Sequence, residues 1–213
     1  MAQTLTTIQT LARDYARFDG YTITSGTNLT RANQIYRKLQ TLALWAELEA
    51  TDTSLSVADG TETYSWPVVV TFLREPSIRI QQPGGKYKVV HPVPSEQLWA
   101  ELGRRSNGVP LHYRRGSAAS VLQISFRPVP NFAGTVEMTG SSAAPALNGA
   151  GSTTVFQNEV VDDAFAIWLA AIESDKKGFS QRAASLFAQA ASLLSEVTGR
   201  SIGAADLGLT LSA

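Results

Sequence analysis

The C-terminal third of the sequence constrains the fold most. From Asn158 onward, Val160, Val161, Ala164, Phe165, Trp168, Leu169 and Ile172 recur at helical spacing. A second run over 180–199 carries Ala183, Leu186, Phe187, Ala190, Leu193, Leu194 and Val197 in the same rhythm. Such spacing lines one face of a helix with apolar groups, and that face has to be buried. Glu159, Asp162 and Asp163 complement the positive N-terminal end of the first helix, and Lys176 and Lys177 its C-terminal end. Gly178 supplies the left-handed residue that stops it. Two helices joined by so short a turn pack antiparallel.

Two further helical patterns open the chain. Ile8, Leu11, Ala12 and Tyr15 mark a short helix over 4–18, ended by Gly20. Ala32, Ile35, Leu39, Leu42 and Ala46 mark a longer one over 28–50, with Asn28 placed as its N-cap. The pattern then changes to period two. Asp59-Gly60 is a two-residue hairpin turn, which sets Leu55 opposite Tyr64, Val57 opposite Glu62 and Thr53 opposite Trp66. Leu55, Val57, Tyr64 and Trp66 then share the buried face. Val68–Leu73 reads as a further buried strand or packed segment.

Strands over 78–81 and 87–90 flank the turn Pro83-Gly84-Gly85. Ser95 caps a short helix over 96–103 that holds Leu98, Trp99 and Leu102. Leu111–Arg114 is a short strand. Val121–Phe126 alternates, with Leu122, Ile124 and Phe126 on one face, and Thr135–Thr139 is its returning strand, with Val136 and Met138 inward. Residues 140–154, rich in Gly, Ser and Ala, read as an extended arm or mobile loop. In the tail, Leu207, Leu209 and Leu211 alternate with small or polar residues, a strand without a partner in sequence.

These elements predict an α+β chain. An N-terminal helix pair (1–50) and a C-terminal helical hairpin (157–200) form a bundle, a small antiparallel β region (51–156) is inserted between them, and an extended tail (201–213) follows.

Chemistry is sparse. Lys+Arg and Asp+Glu number 18 each, so no global charge favours nucleic acid or an acidic membrane. The absence of cysteine removes disulfides, thiolate metal sites and cysteine nucleophiles. The opening MAQTLTTIQT lacks the basic and apolar regions of a signal peptide, and no apolar run reaches membrane-spanning length. Charged residues make up 17%, against roughly a quarter in ordinary soluble domains, a hint of surface hidden in an assembly. His91 and His112 are the only histidines, too few for a metal site on their own. The stretch Gly149–Thr154 lacks the lysine of a phosphate loop. No catalytic, metal or cofactor-binding residue, no cofactor and no small-molecule substrate is therefore expected.

Two surfaces are candidates for macromolecular contact. No acid lies between Glu101 and Glu137, whereas Arg104, Arg105, Arg114, Arg115 and Arg127 do, a basic stretch that solvent, a partner or DNA could face. The Leu207–Leu209–Leu211 strand could add to the sheet edge of another chain, or dock locally.

The order of parts resembles one known family. Ile35-Tyr-Arg-Lys-Leu39 leads through Leu44-Trp45 to the Asp59-Gly60 turn and Tyr64-Ser-Trp66-Pro67. Later come Leu122-Gln-Ile-Ser-Phe126-Arg-Pro128-Val-Pro130, a partner strand, a loop and the Ala-rich helical hairpin. This succession resembles the head-to-tail connector (adaptor, or neck) proteins of tailed bacteriophages. The resemblance implies a structural virion protein that is not an enzyme. It implies assembly in the host cytoplasm as a homo-oligomeric, dodecameric ring below the portal protein. Such a ring extends the channel for packaged DNA and offers a platform to tail or neck proteins. A tail-completion protein, a DNA-binding protein using the arginine stretch, and a virion-associated hydrolase are the alternatives.

Overall fold

In the computed structural model, residues 2–17, 21–22, 26–67, 69–102 and 107–207 are described. They are a mixed α+β chain. The helices are α1 (Leu5–Ala16), α2 (Gly26–Leu42), α3 (Glu96–Glu101), α4 (Glu159–Lys176) and α5 (Ser180–Thr198). The strands are β1 (Glu49–Asp52), β2 (Ser56–Val57), β3 (Thr63–Ser65), β4 (Ser77–Gln81), β5 (Tyr87–Pro92), β6 (Asn107–Gly108), β7 (His112–Ala118), β8 (Val121–Arg127), β9 (Val129–Pro130) and β10 (Gly134–Ser141). The chain divides into two compact units, Met1–Leu48 with Ala144–Ala213, and Glu49–Ala143.

In the helical unit α4 is the centre. Val161 and every residue from Ala164 to Ala171 are buried, so this helix is apolar all round, as a helix enclosed by others must be. It packs against α1, α2 and α5. Asn158 caps it by accepting from the Val160 N–H, and Gly178, at φ +80°, lets the chain turn into α5.

The second helix departs from its sequence pattern at both ends. It begins at Gly26, so Asn28 lies inside the first turn, where its amide donates to the Thr22 carbonyl instead of capping. It stops at Leu42 rather than near 50. Trp45 folds back and donates from Nε1 to the Leu39 carbonyl, satisfying an acceptor that a helix end leaves open. Ala46–Leu48 is then a short 3-10 turn, so Ala46 is not on the helical stripe.

The Gly/Ser/Ala-rich stretch is extended but docked along its length. Asn33 clamps Leu147 at two points, accepting from its N–H and donating to its carbonyl. Gln40 Oε1 accepts from the Ala144 N–H, and the Tyr36 hydroxyl accepts from the Val155 N–H. Phe156 packs edge-on to Tyr36 (5.8 Å between centroids) and Trp45 (4.9 Å). The N-terminal residues hold the other side: Leu5 N–H donates to the Ser152 carbonyl and Thr154 N–H to that of Gln3.

Asp162 closes this arrangement. Its carboxylate is fully buried and accepts from the Thr154 hydroxyl and the Gln3 N–H. Burial pushes its pKa up to about 6, against the lowering effect of these two hydrogen bonds. The folded state therefore holds a proton that the unfolded chain releases near pH 3.8, so stability is full below that pH and declines as pH rises through 6. Asp162→Asn, whose amide can keep both partners if the threonine hydroxyl turns to accept, is expected to flatten that decline. It should raise stability at pH 7 by on the order of 1 kcal/mol. Denaturant unfolding from pH 3.5 to 7.5 checks this; an unchanged slope would contradict it.

The chain after α5 does not form the expected strand where it is described. Ile202 N–H donates to the Ser195 hydroxyl, and Ala204–Leu207 is a 3-10 turn against α5 with Leu207 buried. Leu207 is thus engaged by its own chain, because the turn offers it the apolar flank of α5. Leu209 and Leu211 lie outside the described residues.

The β unit is built on an eight-stranded sheet of order β1-β10-β4-β5-β7-β8-β3, with β2 also on β10. Strands β1 and β2 run along β10 as an interrupted pair, and β3 lies on β8 at the far end of the order. The chain passes from one edge to the other through residues 58–62, so the sheet curls. The expected pairing of Leu55 with Tyr64 therefore does not form. Each arm instead pairs with a longer strand, while Leu55, Val57, Tyr64 and Trp66 all still pack on the core. That core is Val57, Ile78, Ile80, Val90, Tyr113, Ile124, Phe126, Val136 and Met138.

Strand β10 returns to β4 and β1 rather than to β8, whose partners are β7 and β3. It starts at Gly134, where a Cβ would lie 2.2 Å from the Gln81 carbonyl oxygen. The β4–β5 hairpin turns at Gly84 and Gly85, both at positive φ. Residues 69–73 form no strand; Phe72 makes a single bridge to Ser142.

Candidate interaction surfaces of the β unit

Among the described residues, the arginines of the stretch divide between two aromatic rings, Arg114 and Arg127 at Trp99 and Arg115 at Trp66. Arg127 is 7% exposed. Its Nε donates to Glu62 Oε1 at 3.0 Å, another nitrogen donates to the Trp99 carbonyl, and its guanidinium stacks on the Trp99 ring at 4.3 Å. Arg114 lies over the same ring at 5.4 Å and pairs with the exposed Glu96. Trp99 is buried and presented by α3, which Ser95 caps through the Leu98 N–H. Arg127 is therefore a structural group and is withdrawn from the DNA- or partner-contact set: its charge is already neutralised by Glu62 and its plane covered by indole. Arg104 and Arg105 lie outside the described residues.

Arg115 points elsewhere. It covers the Trp66 ring at 4.2 Å, and both line a cleft of about 350 Å³ together with Pro67, Phe72, Leu73 and Leu122 among others. Nearby, Tyr113 donates to Glu75 Oε1 at 2.9 Å, and burial together with that carboxylate pushes its hydroxyl well above the ordinary tyrosine range.

The Asp59-Gly60 turn is a corner. Gly60 adopts φ +72° and donates its N–H to the Pro130 carbonyl. The Tyr64 hydroxyl lies 2.8 Å from the Thr61 carbonyl and 2.9 Å from the Ala58 N–H, which donates to it. Tyr64 thus fixes the corner that its own strand leaves.

Two exposed features were not read from sequence. The β7–β8 hairpin extends past the core, and Ser117–Leu122 are all exposed, Val121 at 51% and Leu122 at 52%. Leu122 shares the face of Ile124 and Phe126 but sits beyond the core they fill. The turn places Ala119 at φ 48° and Ser120 at φ 66°, positions that ordinarily take Asn-Gly. Each such residue costs about 1 kcal/mol or more. Ala119→Asn with Ser120→Gly is expected to stabilise the protein by about 1 kcal/mol; thermal unfolding checks it, and a lower midpoint would contradict it.

The second feature is on α3. The helix exposes Leu98 (47%) and its C-cap Leu102 (40%) beside a pocket of about 280 Å³ lined also by Pro92, Val93, Pro94, Glu101 and His112. The two histidines, 21 positions apart, are neighbours here, since His91 and His112 are in register between β5 and β7. Among the described residues no group of three metal-ligating side chains gathers, and no helix is long and apolar enough to cross a membrane.

Comparison with known proteins adds one positive result. Residues 3–207 match the SU10 adaptor protein family. A search of curated proteins finds no match to the chain.

Proposed function

Because the chain belongs to the SU10 adaptor protein family, a bacteriophage structural family, we propose that it is the head-to-tail adaptor of a tailed phage virion. In this reading copies form a dodecameric ring below the portal protein, extend the channel for packaged DNA and present a platform to tail or neck proteins. The observation that carries it is the family match, which spans nearly the whole chain. The features of the β unit support a protein that works by contact: rigid corners, an exposed uncharged hairpin tip and a pocket beside α3.

Finer roles follow from that reading. Arg104, Arg105, Arg114 and Arg115 are the arginines proposed to meet a partner or DNA. Leu209 and Leu211 are proposed to add as a strand to another chain, with Leu207 as their anchor on α5.

A phage carrying a stop codon in this gene is expected to produce DNA-filled heads without tails, restored by the gene in trans. Normal tailed particles lacking the chain would refute the proposal. Co-purification with free tails, rather than with filled heads, would favour a tail-completion protein instead. Removing residues 208–213 should weaken docking to the head; unchanged docking would remove that segment from the mechanism.

A further inference from the structure

We propose that a polar pocket on the outer face of β3, β8 and β7 receives the carboxylate of an acidic side chain from a neighbouring protein chain, with Arg114 as its receptor. This rests on the adaptor reading only in making that neighbour a protein of the neck.

The pocket holds about 200 Å³. Its floor follows from strand register. Thr63 lies across from Ser125, Ser125 across from Arg114, and Gln123 across from Gly116, so these five positions share one face of three adjacent strands. Ile124 and Phe126 take the opposite face into the core. Glu62, Trp99 and Arg127 also line the pocket.

Charge selects the occupant. Arg127 is taken up by Glu62. Arg114 is the guanidinium left over, and its partner Glu96 is 85% exposed, a pair that contributes little and exchanges readily. The neutral groups add donors. The Thr63 and Ser125 hydroxyls lie 2.8 Å apart, so one donates to the other and the second keeps its proton for an occupant. Gln123 brings an amide. An ionised carboxylate, which only accepts, suits this donor set, and a guanidinium binds it strongly.

Gly116 keeps the space open. It lacks the positive φ that would require glycine, and a Cβ there would meet nothing within 4 Å. Neither conformation nor packing within the chain therefore calls for a residue that weakens a strand. A glycine in a strand interior marks a place where a ligand or another chain comes close. A pocket this small admits the end of one side chain. A nucleic acid would set further phosphates against Glu62 and Glu96, whereas a single carboxylate displaces Glu96 alone.

Titrating the isotope-labelled full chain with glutarate, at neutral pH and fixed ionic strength, tests the site by NMR. Saturable shifts are expected at the Gly116 backbone amide and the Gln123 side-chain amide. Arg114→Gln and Gly116→Val should each weaken binding by about tenfold or more. Gly116→Val should unfold at the wild-type midpoint or above, so that its loss of binding reports the filled pocket. Shifts that never saturate, or binding unchanged in both variants, would overturn the site. Stronger shifts of the same amides with a short DNA duplex would make nucleic acid the occupant and overturn the carboxylate. In phage, Arg114→Glu is expected to reduce plaque formation and to be suppressed by an Asp or Glu changed to Lys or Arg in a neighbouring virion protein. No defect, or suppressors confined to Glu96 of this chain, would overturn the proposal. Particles that lack the chain altogether would sink the adaptor reading, while the titration still decides the pocket.

Discussion

Phe156→Ala is expected to cost the helical unit about 3–5 kcal/mol, the range for truncating a buried aromatic ring. Phe156 is 1% exposed and meets both Tyr36 and Trp45 edge-on, so its removal leaves a cavity and breaks two ring contacts. The effect should be local first. With Phe156 gone, the 144–155 stretch keeps its hydrogen bonds to Asn33, Tyr36 and Gln40 on one side and to the N-terminal residues and Asp162 on the other but loses its aromatic anchor, and protease should cut there well before it cuts the helices. Denaturant unfolding and limited proteolysis read the two effects. Loss of less than about 1 kcal/mol, with no new cleavage, would show that the aromatic contact does not hold the stretch in place.

Arg127→Ala is expected to destabilise the β unit by about 2 kcal/mol, because it strips a part-buried ion pair of its buried member, removes the donor to the Trp99 carbonyl and uncovers the Trp99 ring. Arg127→Lys should recover little, since an ammonium cannot both donate along two directions and stack flat on indole. The deficit should survive high salt, which screens exposed pairs and leaves buried ones. If Arg127 instead faced DNA, the alanine variant would unfold normally and bind DNA more weakly. Unfolding curves at low and high salt, followed by intrinsic tryptophan fluorescence, separate these outcomes.

The helices were legible in the sequence to the degree that burial alone decides them. The stripe of α4 is so uniformly apolar, and its flanks so well marked by Asn158 and Gly178, that few alternatives existed. The end of α2 was not legible, because Leu42 and Ala46 continue the pattern while the side chain of Trp45 satisfies a carbonyl that only a terminated helix leaves open. The docking of 144–156 was hidden for a related reason. Asn33, Tyr36 and Gln40 stand at i, i+3 and i+7 on α2, a polar ridge that looks like a solvated face until a loop's backbone needs partners.

Strand partners were harder than strand faces. Alternation correctly put Leu55, Val57, Tyr64 and Trp66 on the core side, since period two is a local property. Pairing is not local: the Asp59-Gly60 corner carries the chain across the curled sheet, and nothing within 55–66 reveals β8 or β10 waiting on either side. The burial of Arg127 was hidden for a similar reason. Sequence records the missing acids between Glu101 and Glu137 but not that Glu62, far upstream, neutralises Arg127. Trp99, just upstream of the arginines, is where two of them meet.

The adaptor reading is tested most directly by a cryo-EM map of the neck of the virion that encodes this chain, computed with symmetry imposed and then relaxed. The account predicts a ring of copies of this chain seated on the portal. A neck filled by other proteins, with this chain absent from it, would contradict the account.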